Sequence, residues 1–451
     1  MTHPHPSAGR PQVPAGIGTL RNEPSGCPGV FGPAPQPVLM DGRILPPLRT
    51  DVNLFIRIKR YVLNDYRWTR ALGDTGRLMK IASPLAAGLC LSLLAACSSN
   101  PAARTPKTPA PVRPAPYVVA ERYVSKPVAD EELDSLASWY NKADNRTWLI
   151  ASGKSTHRLS VFDAADGSLL RQVGGKGRRA GQFTRPNGLA VSGDLLFVVE
   201  RDNPRVQVLR LPGFTPAGTF GGDQLRSPYG IWVHASDAKT LHVYVTDSFM
   251  QGEKKDVVPP LTQLDQRVRR YLVTIDGKGR VQASYGGSFG DRSESSALRM
   301  VESLAGDPTR DRLLIADEAT RNADGSPRES TFRSYSLAGQ PSGRSLPAGS
   351  FDAEAEGIAL WACSENSGYW IAADQLNPHT LFRVFHRDSL DLIGSFRGNT
   401  TAHTDGITLR RDASTAFPAG ALYAVHDDKS VSAFDLRDVA RTLGLPQACM
   451  Q

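Results

Sequence analysis

The sequence predicts an all-β protein, a six-bladed β-propeller, on three observations. A unit of short apolar runs recurs along the chain from Val118 onward. The units follow one another at spacings of roughly 40–70 residues, which is typical of propeller blades. No helical periodicity competes with this pattern, since only Asp438–Leu443 could form a turn of helix. The fold prediction therefore rests on internal repetition and needs no single motif.

Each unit begins with a small residue that is followed by an apolar run. These beginnings are SLASWY (Ser135), GLAVSG (Gly188), GIWVHA (Gly230), SLAGDP (Ser303), GIALWA (Gly357) and GITLRR (Gly406). Two further runs follow in every unit, and most units end in a fourth run before a Gly-rich turn, as a four-stranded blade requires. The last unit offers only three runs. Tyr117–Val124 is therefore predicted to supply the fourth strand of the last blade, which closes the ring and removes an open edge.

The segment that begins at Met79 has the features of a secretory signal. It reads MKIASPLAAGLCLSLLAACSSN, with a lysine and then an apolar stretch too short to span a bilayer. Leu94-Ala95-Ala96-Cys97 resembles the lipobox of bacterial lipoproteins. The resemblance implies cleavage before Cys97 and attachment of lipid to its thiol. Ser98 after the cysteine favours the outer membrane, so we expect an exported lipoprotein that is held at that membrane, on its periplasmic or surface face.

These features divide the chain into four parts. Residues 1–78 have no core-forming periodicity and are expected to be disordered or to precede the true start; residues 79–96 are the signal peptide. Residues 97–116 form a Pro/Ala-rich tether, and residues 117–451 form the propeller. The net charge of +8 depends in part on basic residues in the N-terminal part, so no nucleic-acid partner is expected. The propeller is expected to be a monomer, in which Cys363 and Cys449 either pair or stay free.

Polar residues precede the first strand of every unit, and the alignment places all of them at one end of the central channel. In blade order they are Asp134, Asn187, Tyr229, Glu302, Glu356 and Asp405. The second strand returns to the same end, where it finishes at Lys154, Arg201, Asp247/Ser248, Asp317/Glu318, Asp374/Gln375 and Asp427/Asp428. Carboxylates thus gather on blades four, five, six and one, whereas the cations lie on blades one and two.

The hairpin of blade five concentrates this pattern. Its predicted strands Gly357–Leu360 and Tyr369–Ala373 bring Glu354 and Glu356 beside Asp374 and Gln375. Carboxylates at one point repel each other unless a cation or protons intervene, and a set of oxygen ligands suits Ca²⁺. A metal held on carboxylates beside Lys and Arg is one way in which proteins bind polyphosphorylated ligands. We therefore expect Ca²⁺ and a phosphorylated small-molecule substrate.

Five stretches carry a resemblance to the β-propeller phytases, the calcium-dependent 3-phytases. They are DSLASW, LLIADE after Glu302, EAEGIALW, YWIAADQ, and TDGITL with Asp405. The resemblance implies calcium ligands at Glu302, Glu318, Glu354, Glu356, Gln375 and Asp405, with Asp134 as a further ligand. It also implies phosphate contacts from Lys154, Arg201 and Tyr229, and catalysis by Glu302, Glu318, Glu356, Lys154 and Arg201.

One departure from the family concerns blade three. Where the family has Thr-Gly-Lys after the second strand, this chain has Thr246-Asp247-Ser248. A long loop, Phe249–Arg267, follows directly and is expected to lie over the same end of the ring. Its Lys254 or Lys255 is a candidate to replace the missing charge.

The implied reaction is metal-assisted hydrolysis of a phosphomonoester such as phytate, with a metal-activated water as nucleophile. Two alternatives stay open. Gly174–Leu211 resembles an NHL repeat, which favours a non-catalytic envelope scaffold that binds a partner. A calcium-dependent lactonase of the six-bladed kind would need one metal and few cations.

Overall fold

The computed structural model describes residues 114–450, with the exception of residues 319, 322–326 and 348. The predicted signal peptide, Cys97 and most of the tether lie outside these residues and stay predictions. Within the described part, no helix is both long and apolar enough to cross a membrane.

The described chain begins with two short strands and then forms three successive four-stranded antiparallel sheets. The short strands are β1 (Tyr117–Val118) and β2 (Tyr123–Val124). Blade one contains β3 (Leu133–Asn141), β4 (Arg146–Gly153), β5 (Arg158–Asp163) and β6 (Leu169–Gly174). Blade two contains β7 (Pro186–Ser192), β8 (Leu195–Glu200), β9 (Arg205–Arg210) and β10 (Thr215–Phe220). Blade three contains β11 (Pro228–Ala235), β12 (Thr240–Asp247), β13 (Val268–Ile275) and β14 (Val281–Phe289).

The second half of the chain forms the remaining three blades. Blade four contains β15 (Val301–Asp307), β16 (Arg312–Asp317), β19 (Thr331–Tyr335) and β20 (Pro341–Ser345), and a small hairpin of β17 (Thr320–Arg321) and β18 (Pro327–Arg328) interrupts it. Blade five contains β21 (Glu354–Ala362), β22 (Gly368–Gln375), β23 (Leu381–His386) and β24 (Leu392–Arg397). Blade six contains β25 (Ile407–Arg410), β26 (Ala421–His426) and β27 (Ser430–Asp435). The predicted six-bladed all-β fold is confirmed.

The N-terminal segment closes the ring, but it does so as two strands rather than one. β2 pairs antiparallel with β27, with Tyr123 opposite Ala433, and so completes blade six as predicted. β1 instead pairs in parallel with β24 at the outer edge of blade five, with Tyr117 opposite Phe396. The prediction of one continuous strand over Tyr117–Val124 is therefore wrong. The segment covers the edges of two neighbouring blades, which protects both from pairing with another chain.

The hydrophobic core consists of six apolar clusters, one between each pair of neighbouring blades. The second strand of each blade is buried on both faces, which explains its nearly continuous apolar sequence. In β8, Leu196 and Val198 pack toward blade one, whereas Phe197 and Val199 pack toward blade three. The cluster that joins blades six and one contains Val425 and Leu149 and completes the circle. Ring closure thus buries apolar surface on both sides of every blade.

The C-terminus packs against blades five and six. A helix, α1 (Leu436–Thr442), follows β27 directly, which places it two residues earlier than predicted. Asp435 caps this helix by accepting a hydrogen bond from the backbone N–H of Arg437. Cys363 and Cys449 form a disulfide with their Cα atoms 4.6 Å apart, so the pairing that the sequence left open is formed. The disulfide joins the end of the chain to the first hairpin of blade five.

Candidate metal centre at the channel mouth

A β-bulge places one side chain from each of the first five blades at the channel mouth. In the first pair of strands of these blades, two residues of the inner strand lie opposite one residue of its partner. The first residues of these pairs are Asp134, Asn187, Tyr229, Glu302 and Glu356. Bulges re-aim side chains and recur next to functional sites. In blade six the equivalent residue, Asp405, lies just before β25.

In blades two, three, five and six, the residue after the side chain that faces the mouth is glycine, because the neighbouring blade leaves no room for a Cβ atom. A Cβ atom added to Gly188 would lie 2.4 Å from the carbonyl oxygen of Tyr229, and one added to Gly230 would lie 2.4 Å from that of Glu302. At Gly406 the distance to the carbonyl oxygen of Asp134 would be 2.3 Å. The backbones of successive blades therefore touch at this level. Directly beyond it, the six inner strands line a central cavity of about 370 Å³.

Carboxylates hold the loops that lead into this ring. Asp317 accepts hydrogen bonds from the backbone N–H groups of Arg299 and Met300, and its other oxygen binds Arg333 at 3.0 Å. Four other blades use a carboxylate on loop N–H groups in the same way: Glu200, Asp247 and Asp374 in blades two, three and five, and Glu121 for blade six. In the pairs Asp247/Ser248, Asp317/Glu318 and Asp374/Gln375, the aspartate is thus structural.

Blades four and five bring three glutamates together, and we call Glu302, Glu318 and Glu356 the glutamate cluster. Each offers a carboxylate oxygen that lies within 4.8 Å of the others, and all three residues are buried. Oε1 of Glu356 has no hydrogen-bond partner among the described residues. Burial, and then repulsion from Glu302 and Glu318, raises the pKa of Glu356 well above its usual value. Burial likewise raises the pKa of Glu302.

Blades six and one bring together a lysine and two aspartates, and we call Lys154, Asp134 and Asp405 the lysine cluster. Nζ of Lys154 lies 2.7 Å from Oδ2 of Asp134 and 3.0 Å from Oδ2 of Asp405. The side chain of Lys154 is only 5% exposed. Burial would lower the pKa of this amine, but the two carboxylates outweigh it and raise the pKa well above its ordinary value. Lys154 therefore stays protonated at physiological pH.

Tyr229 reaches across the ring to the lysine cluster. Its hydroxyl donates a hydrogen bond of 3.2 Å to Oδ2 of Asp134. Burial of this hydroxyl, followed by the charges of Asp134 and Glu302, raises its pKa well above the usual value. Tyr229 therefore stays a neutral phenol at physiological pH and serves as a hydrogen-bond donor.

Asn187 of blade two lies in the ring between Asp134 of blade one and Tyr229 of blade three. The alignment of the repeats placed it at this end of the channel but gave it no role. It is fully buried, yet neither its amide nitrogen nor its amide oxygen has a hydrogen-bond partner in the described part of the chain. A buried amide with no partner costs free energy, and a bound ligand could recover that cost. The signal in the sequence was its place in the alignment of the repeats.

The structure does not bring Arg201 to either cluster. Its guanidinium binds the adjacent Asp202, with Nε 2.7 Å from Oδ1, and its side chain is 32% exposed. The arginine nearer the mouth is Arg185, whose Nη2 lies 3.1 Å from Oε1 of Glu132. Sequence reasoning missed both members of this pair. Arg185 lies two residues before Asn187 of blade two, and Glu132 lies two residues before Asp134 of blade one.

Three equivalent residues at this level adopt left-handed backbone conformations. Glu132, Arg185 and His403 have φ angles of 49°, 54° and 48°. Such conformations are uncommon for residues other than glycine and concentrate at functional sites. His403, Asp405 and Asp428 also offer potential ligand atoms that lie within 4.8 Å of one another. The mouth is therefore held in a specific shape on the side of blades six, one and two.

Two further predicted ligands lie on the hairpin of blade five. Glu354 and Gln375 are opposite each other at the end of the β21–β22 pair, as predicted. The side-chain amide of Gln375 donates a hydrogen bond to Oδ1 of Asp405, so Gln375 contacts the lysine cluster. Glu354 is only partly buried, and the group of carboxylates at Glu302, Glu318 and Glu356 does not include it.

The long loop of blade three follows β12, which ends at the channel mouth, and it is anchored by Arg267. This guanidinium donates hydrogen bonds to the backbone oxygens of Asp247 at 3.0 Å, Phe249 at 2.7 Å and Arg299 at 2.6 Å. Burial lowers the pKa of Arg267 to about 10. Lys254 and Lys255, the candidates for the missing charge, are exposed.

Comparisons with known proteins add little to this description. No protein-family model matches the chain, and no curated protein matches its sequence. Among solved structures, the chain is similar to "Kuenenia stuttgartiensis Hydrazine Synthase", with a TM-score of 0.41 and 13% identity over 71% of this chain and 82% of that chain. A similarity this low carries no argument about function. The fold rests on the strand pairing described above, and the likeness to phytases rests on the quoted residues alone.

Proposed function

We propose that this protein is a calcium-dependent hydrolase of phosphate monoesters, with phytate or a similar polyphosphorylated molecule as substrate. The observation that carries the proposal is the glutamate cluster, in which three buried carboxylates face one another at the mouth of a channel. At an effective dielectric constant near 20, two unit charges at this separation repel each other by about 3 kcal/mol. Such a group needs protons or a cation to be stable.

The donor set fits calcium better than a transition metal. Only carboxylate oxygens make up the glutamate cluster, and hard cations prefer such ligands. The unpartnered Oε1 of Glu356 is an open ligand position. The chemistry that calcium supplies when bound is polarisation of the phosphoryl oxygens and activation of a water for attack on phosphorus. Glu302, Glu318 and Glu356 would hold the ion.

The other residues of the mouth act on the substrate or on the shape of the site. Lys154 fixes Asp134 and Asp405 in place through buried ion pairs. The phenol of Tyr229 and the free amide of Asn187 provide neutral hydrogen-bond groups for a ligand that enters the ring. Arg201, at the partly exposed rim, is available to a phosphate if that phosphate displaces Asp202.

Phosphate release from phytate tests the proposal. The purified full chain is assayed with calcium chloride and with an excess of chelator, next to Glu302→Gln and Glu356→Gln. We expect release only with calcium and a loss on the order of 100-fold in both variants, since each removes a charged ligand. Glu365→Gln, in the exposed turn at the far end of the same hairpin, is the matched control and keeps full activity.

Failure to release phosphate with calcium bound would remove the phosphatase and leave the binding scaffold or the lactonase. One observation favours the lactonase as a second candidate. Both predicted phosphate-binding cations are already paired, Lys154 with two aspartates and Arg201 with Asp202. A lactonase needs a metal to polarise the carbonyl but no free cation. Hydrolysis of a panel of lactones that depends on calcium, and that survives Arg201→Ala, would select this candidate.

A further inference from the structure

We propose that Arg185 binds an anionic group of the ligand at the channel mouth, and that His157 is the positioning residue that holds Arg185 there. The resemblance implied phosphate contacts from Arg201 but gave Arg185 no part in binding. Only the identity of the anion, a phosphate group of the substrate, rests on the proposed function. The contacts of Arg185 and its place in the ring carry the remainder.

Arg185 lies beside the lysine cluster. Its Nη2 donates a hydrogen bond of 3.1 Å to Oε1 of Glu132, and the same oxygen lies 3.9 Å from Nζ of Lys154. Burial opposes the charge of this guanidinium, but the negative charge of Glu132 outweighs burial and raises the pKa of Arg185. The ring residues Tyr229 and Asp134 add to this effect. Arg185 is therefore a charged group next to the ring.

The guanidinium of Arg185 has a donor that no described residue satisfies. Its Nε is buried and has no hydrogen-bond partner in that part of the chain. Nε and Nη2 lie on one edge of a guanidinium and together bind two oxygens of a carboxylate or phosphate. Arg387 uses this edge on Asp307, at 2.6 and 2.8 Å. An anion that takes the place of Glu132 at Nη2 of Arg185 would also reach the open Nε.

A second group without a partner lies two residues further along the chain. The fully buried amide of Asn187 binds no described residue, so two open hydrogen-bond groups occur at the beginning of β7. An anion that accepts from both would recover the free energy that their burial costs. Blade two alone has an arginine or lysine two residues before its ring residue. The equivalent residues of the other blades are Glu132, Ser227, Met300, Glu354 and His403.

His157 of blade one holds the backbone of Arg185. The N–H of Arg185 donates to Nδ1 of His157 at 2.9 Å, and its carbonyl oxygen accepts from the N–H of Arg201 at 3.0 Å. Because a backbone N–H can only donate, Nδ1 accepts and the imidazole is neutral. Burial, followed by the charges of Lys176 and Arg185, lowers the pKa of His157 and favours this form. The two bonds hold Arg185 at a φ of 54°, which is uncommon for arginine.

The experiment measures binding of myo-inositol hexasulfate, a polyanion without phosphate, to the full chain by titration calorimetry in calcium chloride. We expect Arg185→Gln to weaken binding by about 10- to 100-fold, because a hydrogen bond between charged groups is lost. Arg178→Gln removes the same charge from an exposed position of the preceding loop. It should change the affinity less than about twofold, since salt screens an exposed charge. Equal losses in the two variants would overturn the proposal.

Glu132 provides a test in the opposite direction. Glu132→Gln removes the carboxylate that competes for Nη2 of Arg185, so the hexasulfate should bind more tightly. This gain should disappear when Arg185→Gln is added. The double variant also covers a failure of Arg185→Gln to fold, because it leaves no carboxylate without its partner. A double variant that binds as tightly as Glu132→Gln would overturn the proposal.

Rescue by a conservative variant tests the part that His157 plays. Asparagine places Oδ1 where histidine has Nδ1, and it tolerates the φ of 60° at this position. His157→Asn should therefore bind the hexasulfate like the wild type, whereas His157→Ala should lose about fivefold. In the Arg185→Gln background, His157→Ala should cause no further loss. Equal losses in His157→Asn and His157→Ala, or a loss that persists without Arg185, would overturn the positioning role.

Phosphate release from phytate separates this proposal from the proposed function. Hexasulfate that does not bind, or that binds independently of Arg185, overturns the proposal, and calcium-dependent phosphate release in the same preparation leaves the hydrolase intact. Hexasulfate binding that is lost in Arg185→Gln, without any phosphate release by the wild type, supports the anion site and removes the phosphatase. Neither binding nor phosphate release overturns both.

Discussion

In blades four and five, three buried glutamates face one another, whereas in blades six and one, two buried aspartates share the ammonium of Lys154. Both groups lie at the mouth of the same channel and come from equivalent positions of the repeated unit. They differ in the residue that follows the second strand, which is Glu318 in one blade and Lys154 in another. In blade one that residue pairs with two aspartates, whereas in blade four it adds a third carboxylate to the group.

The two clusters should differ in how they affect the stability of the metal-free fold and in how they bind a cation. Removal of one partner of an ion pair inside the protein destabilises the empty fold, because it leaves the other charge buried without compensation. Carboxylates that repel one another destabilise the empty fold and bind a cation tightly. Removal of a charged residue should therefore have opposite effects in the two clusters.

The largest expected effect is that of Lys154→Met on the protein without metal. Because the variant leaves Asp134 and Asp405 buried without their cation, we expect the free energy of unfolding to fall by about 3–5 kcal/mol. Denaturant unfolding in chelator measures the loss. A fall below about 1 kcal/mol would show that the pair is hydrated and would end the distinction between the clusters.

The second effect is stabilisation of the wild type by calcium. An ion that binds only the folded state at about 1,000 times its dissociation constant adds about 4 kcal/mol to the free energy of unfolding. Thermal melting with and without calcium measures this gain. We expect Glu356→Gln to lose most of it and Glu365→Gln to keep it. A gain that survives in Glu356→Gln would place the ion elsewhere.

A smaller effect concerns pH. The pKa of Glu356 is raised in the folded protein, so in the absence of metal the folded state keeps a proton that the unfolded state releases above about pH 4.3. Stability should therefore fall as the pH rises above that value, until Glu356 is ionised in the folded state as well. Glu356→Gln removes this titration and should flatten the profile and stabilise the metal-free protein by on the order of 1 kcal/mol at neutral pH. Melting curves in chelator from pH 5 to 8 measure both, and a variant as steep as the wild type would contradict the assignment.

The smallest effect is that of Arg201→Ala. Its exposed pair with Asp202 contributes at most about 1 kcal/mol to stability. If it binds a phosphate of the substrate, KM for phytate should rise about 10-fold with little change in kcat. An unchanged KM would count against the phosphate contact. Asp202→Asn, which frees the guanidinium, is the matched control and should lower KM.

The fold and the composition of the ring were predictable because the repeat fixes both. Aligned first strands placed Glu302, Glu356 and Asp405 at one end of the channel, and the bulges confirm that blades four and five present Glu302 and Glu356 alike. The split of the N-terminal segment between two blades was not predictable, since Tyr117–Val118 and Tyr123–Val124 have the same β-strand character. Only the geometry of neighbouring edges assigns each to its partner.

The pairing of charges was the part that the sequence could not supply. Asp317 and Glu318 are adjacent in the chain, yet one holds a loop and the other joins the glutamate cluster. Lys154 was expected as a free cation opposite the carboxylates, and the structure places it among them. Such outcomes depend on distances of a few ångströms between blades, which a spacing in the sequence does not encode.

A crystal structure of the calcium-soaked protein, with anomalous scattering recorded at long wavelength, tests the calcium site at the glutamate cluster most directly. An anomalous peak bounded by Glu302, Glu318 and Glu356 is the predicted result. No peak at the three glutamates would contradict it.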